Sequence, residues 1–293
     1  MPFLKKIRIR KMLASFLRYV SIGILFGLLG QNAFANLLIN PTRVDFHSDT
    51  RTVDVTLINT SSNTNTYRLE WVEKKVTETG GYENLTPAQV GSLPIASKML
   101  RVSPRQVTLK PNERQTIKVA IRRPQGLAAG EYRSHLMFRA LAPANDNGLN
   151  ESNQAPSLKF NIVLNFAIPV VVTQGTPQYN LALNNASISY DPMQKLGEVN
   201  LSMSRSGTNS VIGNLNAYWT PTGGKETLIA KLGDYNAWPE AKNATVKLGW
   251  IGTGFAKSDG KLRIVYEGTK SFRGKTFFDK TIEIKGGMIK TGI

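Results

Sequence analysis

The chain has 293 residues, a formal net charge of +17 at neutral pH and no cysteine. It therefore folds without disulfides and carries out no thiol chemistry. Six of the positive charges fall in the first 35 residues, which leaves about +11 on the other 258; these are scattered through strand-like segments (Lys118, Arg122, Arg123, Lys231, Lys242, Lys247) with no basic stripe among aromatics, so no nucleic-acid partner is expected.

The first 35 residues read as a secretory signal peptide. Lys5, Lys6, Arg8, Arg10, Lys11 and Arg18 form a positive leader, residues 20–30 are apolar, and Ala33-Phe34-Ala35 is a small-x-small cleavage site, so the exported chain is expected to begin at Asn36. The apolar run is short for a bilayer span, so no stable membrane insertion is expected once the leader is removed; an uncleaved anchor is the alternative.

From Asn36 onward the chain reads as all-β, with strands separated by Asn, Gly, Pro and Ser. Strand signals cover 51–59, 67–76, 114–122 and 131–141. Residues 86–96 hold a short-helix signal, with Thr86 as cap and Pro87 at the first turn, or else a loop. Residues 142–157 are polar. From Leu158 to Ile168 every second residue is large and apolar, the period of one strand face. Such a strand suits an ordinary core position after a loop, or lends part of its length to a partner that lacks a strand. Residues 173–177 read as a linker, and seven further strands are expected at 179–190, 198–203, 214–219, 227–231, 245–248, 261–267 and 275–284. The domains are thus 1–35 (signal peptide), 36–172 and 173–293, the last two being β-sandwiches.

Catalysis is not expected. The only histidines, His47 and His135, lie in or beside strands with no nucleophile context, and no G-x-S-x-G occurs. No metal-ligand spacing is present, and no cofactor or metal is expected. The glycine-rich run 249–254 reads as a turn, and Glu70 and Glu73 as surface charges.

Four stretches carry a resemblance. They are Ile39-Asn40-Pro41-Thr42-Arg43-Val44-Asp45-Phe46, residues 100–117 around Ser103-Pro104, Gly130-Glu131-Tyr132-Arg133-Ser134-His135-Leu136-Met137-Phe138-Arg139, and the alternating strand ending Ile168-Pro169-Val170. In order and spacing they resemble the periplasmic chaperones of chaperone–usher pilus assembly, as a non-classical branch. The resemblance implies two immunoglobulin-like β-sandwich domains set at an angle around a cleft, no enzymatic activity, a periplasmic location, and two partners: pilus or fimbrial subunits and an outer-membrane usher. It also implies that the strand ending at Pro169 fills the groove of a subunit lacking its last strand. Leu158, Phe160, Ile162 and Leu164 are then the donor side chains, while Phe166 and Ile168 belong to the protein's own core. Arg43, three positions before Phe46, matches the family's anchor for the subunit's C-terminal carboxylate. The second family anchor, a lysine about five positions before the strand's proline, is Leu164 here, and Ile168 stands where a basic residue is common. A secreted structural or adhesive sandwich module of a surface fibre is the competing expectation.

Overall fold

The structure, a computed structural model, describes residues 36–141 and 164–290. It consists of two immunoglobulin-like β-sandwich domains, each with its own core. The first core gathers buried residues from Leu37 to Val172, and the second gathers residues from Leu181 to Ile289.

The first domain contains β1 (Leu37–Asn40), β2 (Val44–Phe46), β3 (Thr52–Asn59), β4 (Asn65–Val72), β5 (Lys74–Val76), β6 (Tyr82–Asn84), α1 (Pro87–Ser92), β7 (Leu100–Ser103), β8 (Gln106–Leu109), β9 (Arg114–Ile121), β10 (Gly130–Leu141) and β11 (Phe166–Gln174). One sheet runs β1-β3-β9-β7 and the facing sheet β2-β11-β10-β4-β8. Alternate residues point inward, among them Val55 and Leu57, Ile117 and Val119, Leu136 and Phe138, and Val170 and Val172, and these close one apolar core. Pro41 has no N–H to offer a ladder, and there the chain leaves the first sheet at β1 and enters the second at β2.

The core also holds a polar hub. Asn59 is fully buried; its Nδ2 donates to the carbonyls of Asn63, Leu109 and Lys110 at 2.7–3.1 Å, and its Oδ1 accepts from Ser61 and Asn65. Its backbone bonds Glu113 and Asn112, so one residue stitches the β3–β4 and β8–β9 turns together.

The second domain contains β12 (Asn180–Asp191), β13 (Leu196–Ser206), β14 (Val211–Pro221), β15 (Thr227–Ala237), β16 (Asn243–Trp250), β17 (Gly260–Gly268) and β18 (Thr276–Ile284). The order is β12-β13-β16-β15-β14-β17-β18. Because β15 meets β16 only at Ala230–Trp250 and Lys231–Gly249, the sheet folds at that corner into two leaves over one core. At the far edge Lys290 bridges Ser189 of β12 in parallel, covering part of what would be an open edge. Gly197 is required at its place: a Cβ there would lie 2.5 Å from the Trp250 ring.

All seven strands expected in this half are present, and α1 begins as read, with Thr86 accepting from the Gln89 N–H and the Gln89 side chain accepting from the Thr86 N–H. Three expectations need correction. The strand expected over 67–76 is broken at Glu73, whose carboxylate turns to accept from the buried Ser134 hydroxyl at 2.8 and 2.9 Å, so Glu73 is not a plain surface charge. β11 runs on to Gln174, so the linker begins at Gly175 rather than Thr173. Leu164 and Asn165 precede β11 rather than lying in it.

Candidate functional site at the domain junction

The junction is built from β10 and its neighbours. On β10, Leu136 and Phe138 face the core, and the alternate residues Glu131, Arg133 and His135 face away from it. That second face is covered by the second domain and by the β5–β6 hairpin.

Arg43, one residue before β2, lies here. It is 5% exposed, and its Nε donates to Asp45 at 2.8 Å, one terminal nitrogen to Ser210 Oγ at 3.1 Å and the other to Asn236 Oδ1. Ser210 in turn donates its N–H and hydroxyl to Glu131 Oε2, both at 2.6 Å. Burial pushes the Glu131 carboxyl up, and Arg43 and the Ser210 bonds draw it back down. Arg133 donates to Glu240 and to the Lys74 carbonyl. Trp238 is buried against both arginines, 4.0 Å from the Arg133 guanidinium carbon and 5.0 Å from that of Arg43, and its Nε1 donates to Tyr82 Oη at 2.9 Å. The hairpin adds Val76 N–H to Glu240 at 2.9 Å and receives the Thr245 N–H on the Glu78 carbonyl at 3.0 Å. A recess of about 240 Å³ opens beside these groups, walled by Lys74, Lys75, Leu93, Pro94, Arg133 and Glu240.

The second part of the site is an edge. β11 is paired with β10 along its whole length, but on its other side β2 covers only Val170–Val172. From Phe166 to Pro169 that side has no strand partner among the described residues. A row of open backbone groups there is a template for another strand. Phe166 and Ile168 turn toward the first core, and Leu164 is exposed just upstream. Leu158, Phe160 and Ile162 lie outside the described residues.

Known proteins offer several likenesses. The Fn3-like domain family matches residues 44–142. No curated protein matches the chain. Similar solved structures include the YadV chaperone (12% identity, TM-score 0.43, covering 85% of this chain and 100% of that one). They also include the Salmonella enterica SafB chaperone in complex with the SafA pilin (14%, TM-score 0.43, 85% and 96%) and the Pseudomonas aeruginosa CupB2 chaperone (12%, TM-score 0.40, 85% and 99%). At such identities and scores these likenesses do not by themselves assign this chain.

Arg43 is thus near the open edge but is no solvated cation: its fork already serves protein acceptors across the junction. Reading the sequence alone missed Glu131, Arg133, Trp238 and Glu240 as junction residues. One signal was available, since Glu131, Arg133 and His135 put polar groups at every second position along a strand whose other face is core.

Proposed function

We propose that this protein is a periplasmic, non-enzymatic chaperone that captures pilus or fimbrial subunits by strand pairing on the open edge of β11 and passes them to an outer-membrane usher. The observation that carries the reading is the register of β2. It runs parallel to β11 and stops at Val44, opposite Val170, with Arg43 next in line. A subunit strand that occupies the open edge in the same parallel sense brings its C-terminus toward Arg43. The subunit's terminal carboxylate then takes the place of Ser210 and Asn236 on the guanidinium fork, a geometry that suits a carboxylate.

Backbone ladder bonds supply affinity along the edge, and alternate side chains supply fit. Leu158, Phe160, Ile162 and Leu164 are the side chains offered to the subunit. Each large apolar side chain that is buried contributes about 1.5–3 kcal/mol, so three or four offset much of the cost of ordering.

The test compares two variants against a co-expressed subunit lacking its last strand. Phe160→Ser with Ile162→Ser is expected to abolish capture and leave the thermal transition in place, whereas Phe166→Ser lowers the transition itself. Full capture by the double variant, or its unfolding together with a harmless Phe166→Ser, overturns the proposal.

A further inference from the structure

The end of the second domain farthest from the first carries the loops 192–195, 222–226 and 251–259 and the segment 285–290. They are held as one surface. Gly286 N–H donates to the Asp259 carboxylate at 2.8 Å, Thr222 N–H to the Asp259 carbonyl at 3.0 Å, Lys257 Nζ to the Ile289 carbonyl at 3.1 Å and Tyr190 N–H to the Lys290 carbonyl at 3.0 Å. A recess of about 760 Å³ lies among them, with Tyr190, Pro192, Lys195 and Phe255 on its wall.

Four large apolar side chains stand out from this end: Met193 at 91% exposure, Met288 at 66%, Leu196 and Ile251. They are half of the eight exposed large hydrophobics among the described residues, so this is a concentration and not the usual scatter. The charge around them is lopsided. The acids are already engaged: Asp259 with Lys285, Glu226 with Arg263, and Asp191 with the amides of Met193 and Gln194. Lys195, Lys225 and Lys290 are exposed and have no ion-pair partner among the described residues.

We propose that this end docks reversibly on an anionic phospholipid surface. Met193, Leu196, Ile251 and Met288 enter the boundary between headgroups and acyl chains, while Lys195, Lys225 and Lys290 meet the phosphates. Charge complementarity favours this occupant. Lysine is depleted from the cores of protein–protein interfaces, whereas lone apolar side chains ringed by lysine are what an anionic bilayer surface accepts. The apolar side chains also rise from separate loops and a strand end, and a fluid headgroup layer conforms to such a surface more readily than a folded partner does. The inference is independent of subunit capture, which takes place at the other end of the molecule.

Flotation of the isolated protein with vesicles tests it, using phosphatidylcholine alone and phosphatidylcholine with about one-third phosphatidylglycerol. The expected result is binding to the anionic vesicles only, weakened by salt. Met193→Asp with Met288→Asp, and separately Lys195→Glu with Lys290→Glu, each lower the partition about tenfold or more without moving the thermal transition. Absence of binding to anionic vesicles overturns the proposal. So does equal binding to neutral vesicles, which a retained apolar leader would give, and so does binding that both variants keep. Sedimentation showing a dimer that Met193→Asp dissolves, without lipid binding, assigns the surface to a second copy of the chain instead.

Discussion

Trp238 of the second domain lies beneath Arg133 of the first, with the guanidinium carbon 4.0 Å from the ring centroid. The same ring meets Arg43, and its N–H reaches Tyr82, so one side chain touches β10, β6 and the segment before β2 of the neighbouring domain. Trp238→Ala is expected to cost about 3–5 kcal/mol, the range for a buried tryptophan. The loss falls on the coupling between domains: urea unfolding followed at two domain-specific probes is expected to split into two transitions. A single transition at an unchanged midpoint would show that Trp238 does not couple them.

Arg43 separates stability from capture. Arg43→Ala leaves Asp45 without its ion-pair partner and removes one of the two arginines that draw the Glu131 carboxyl down, and breaking a buried pair from one side costs about 3–5 kcal/mol. Arg43→Lys keeps the charge but loses the fork, and is expected to recover most of the stability while capture stays weak. Chemical denaturation and subunit titration on both variants check this. If Arg43→Lys captures subunits as well as the unaltered protein, the guanidinium fork is not the carboxylate's seat.

His135 makes the fold sensitive to acid. Burial, together with Arg133 and Lys74, lowers its pKa to about 3, and neither ring nitrogen has a hydrogen-bond partner among the described residues. In the unfolded chain the ring titrates near 6.5, so between the two values the unfolded state holds the extra proton. Stability is therefore complete above about pH 6.5 and falls by a few kcal/mol as the pH drops toward 3. Glu131, raised in the fold, works the other way and lends stability on the acid side. His135→Phe keeps the edge-on ring contact with Tyr82 and is expected to flatten the fall between pH 7 and pH 5. An unaltered pH profile in that variant would clear His135 of the effect.

Asn59 tests the polar hub. Asn59→Leu removes the partner of three carbonyls and two donor side chains; the buried Leu109 carbonyl is left unsatisfied at a cost of about 1–3 kcal/mol, while the partly exposed partners can turn to water. Heat unfolding of the variant is expected at a markedly lower temperature. A transition within a degree or two of the parent's would mean that water reaches the site.

The strands of the second domain were readable because stretches such as Glu198–Met203 and Thr245–Leu248 bury one face and expose the other, which writes a period of two into the sequence, and the rest are set off by turn residues. The start of α1 was readable for an equally local reason, the Thr86 cap and Pro87. The junction was not. Its partners stand far apart in sequence, Arg43 with Ser210 and Asn236, Arg133 with Glu240; the polar alternation of Glu131, Arg133 and His135 marks a second strand face but does not tell water from another domain as its cover. The break at Glu73 was hidden in the same way, since it depends on Ser134 sixty-one positions away. Of the edge, its strand was legible from the alternation, but the place where β2 stops pairing depends on a parallel register that no side chain records.

The bridge from Ser189 to Lys290 bears on the order of folding. β12 heads its domain, yet one of its neighbours lies at Lys290, so that domain is not finished until residue 290 is in place. The first domain has its complete core by Val172 and can fold earlier. Meanwhile the surface that will be covered is left facing water. That surface carries Arg43, Glu131 and Arg133 rather than a purely aliphatic patch, so the first domain meets water through charged groups until the second domain closes over it.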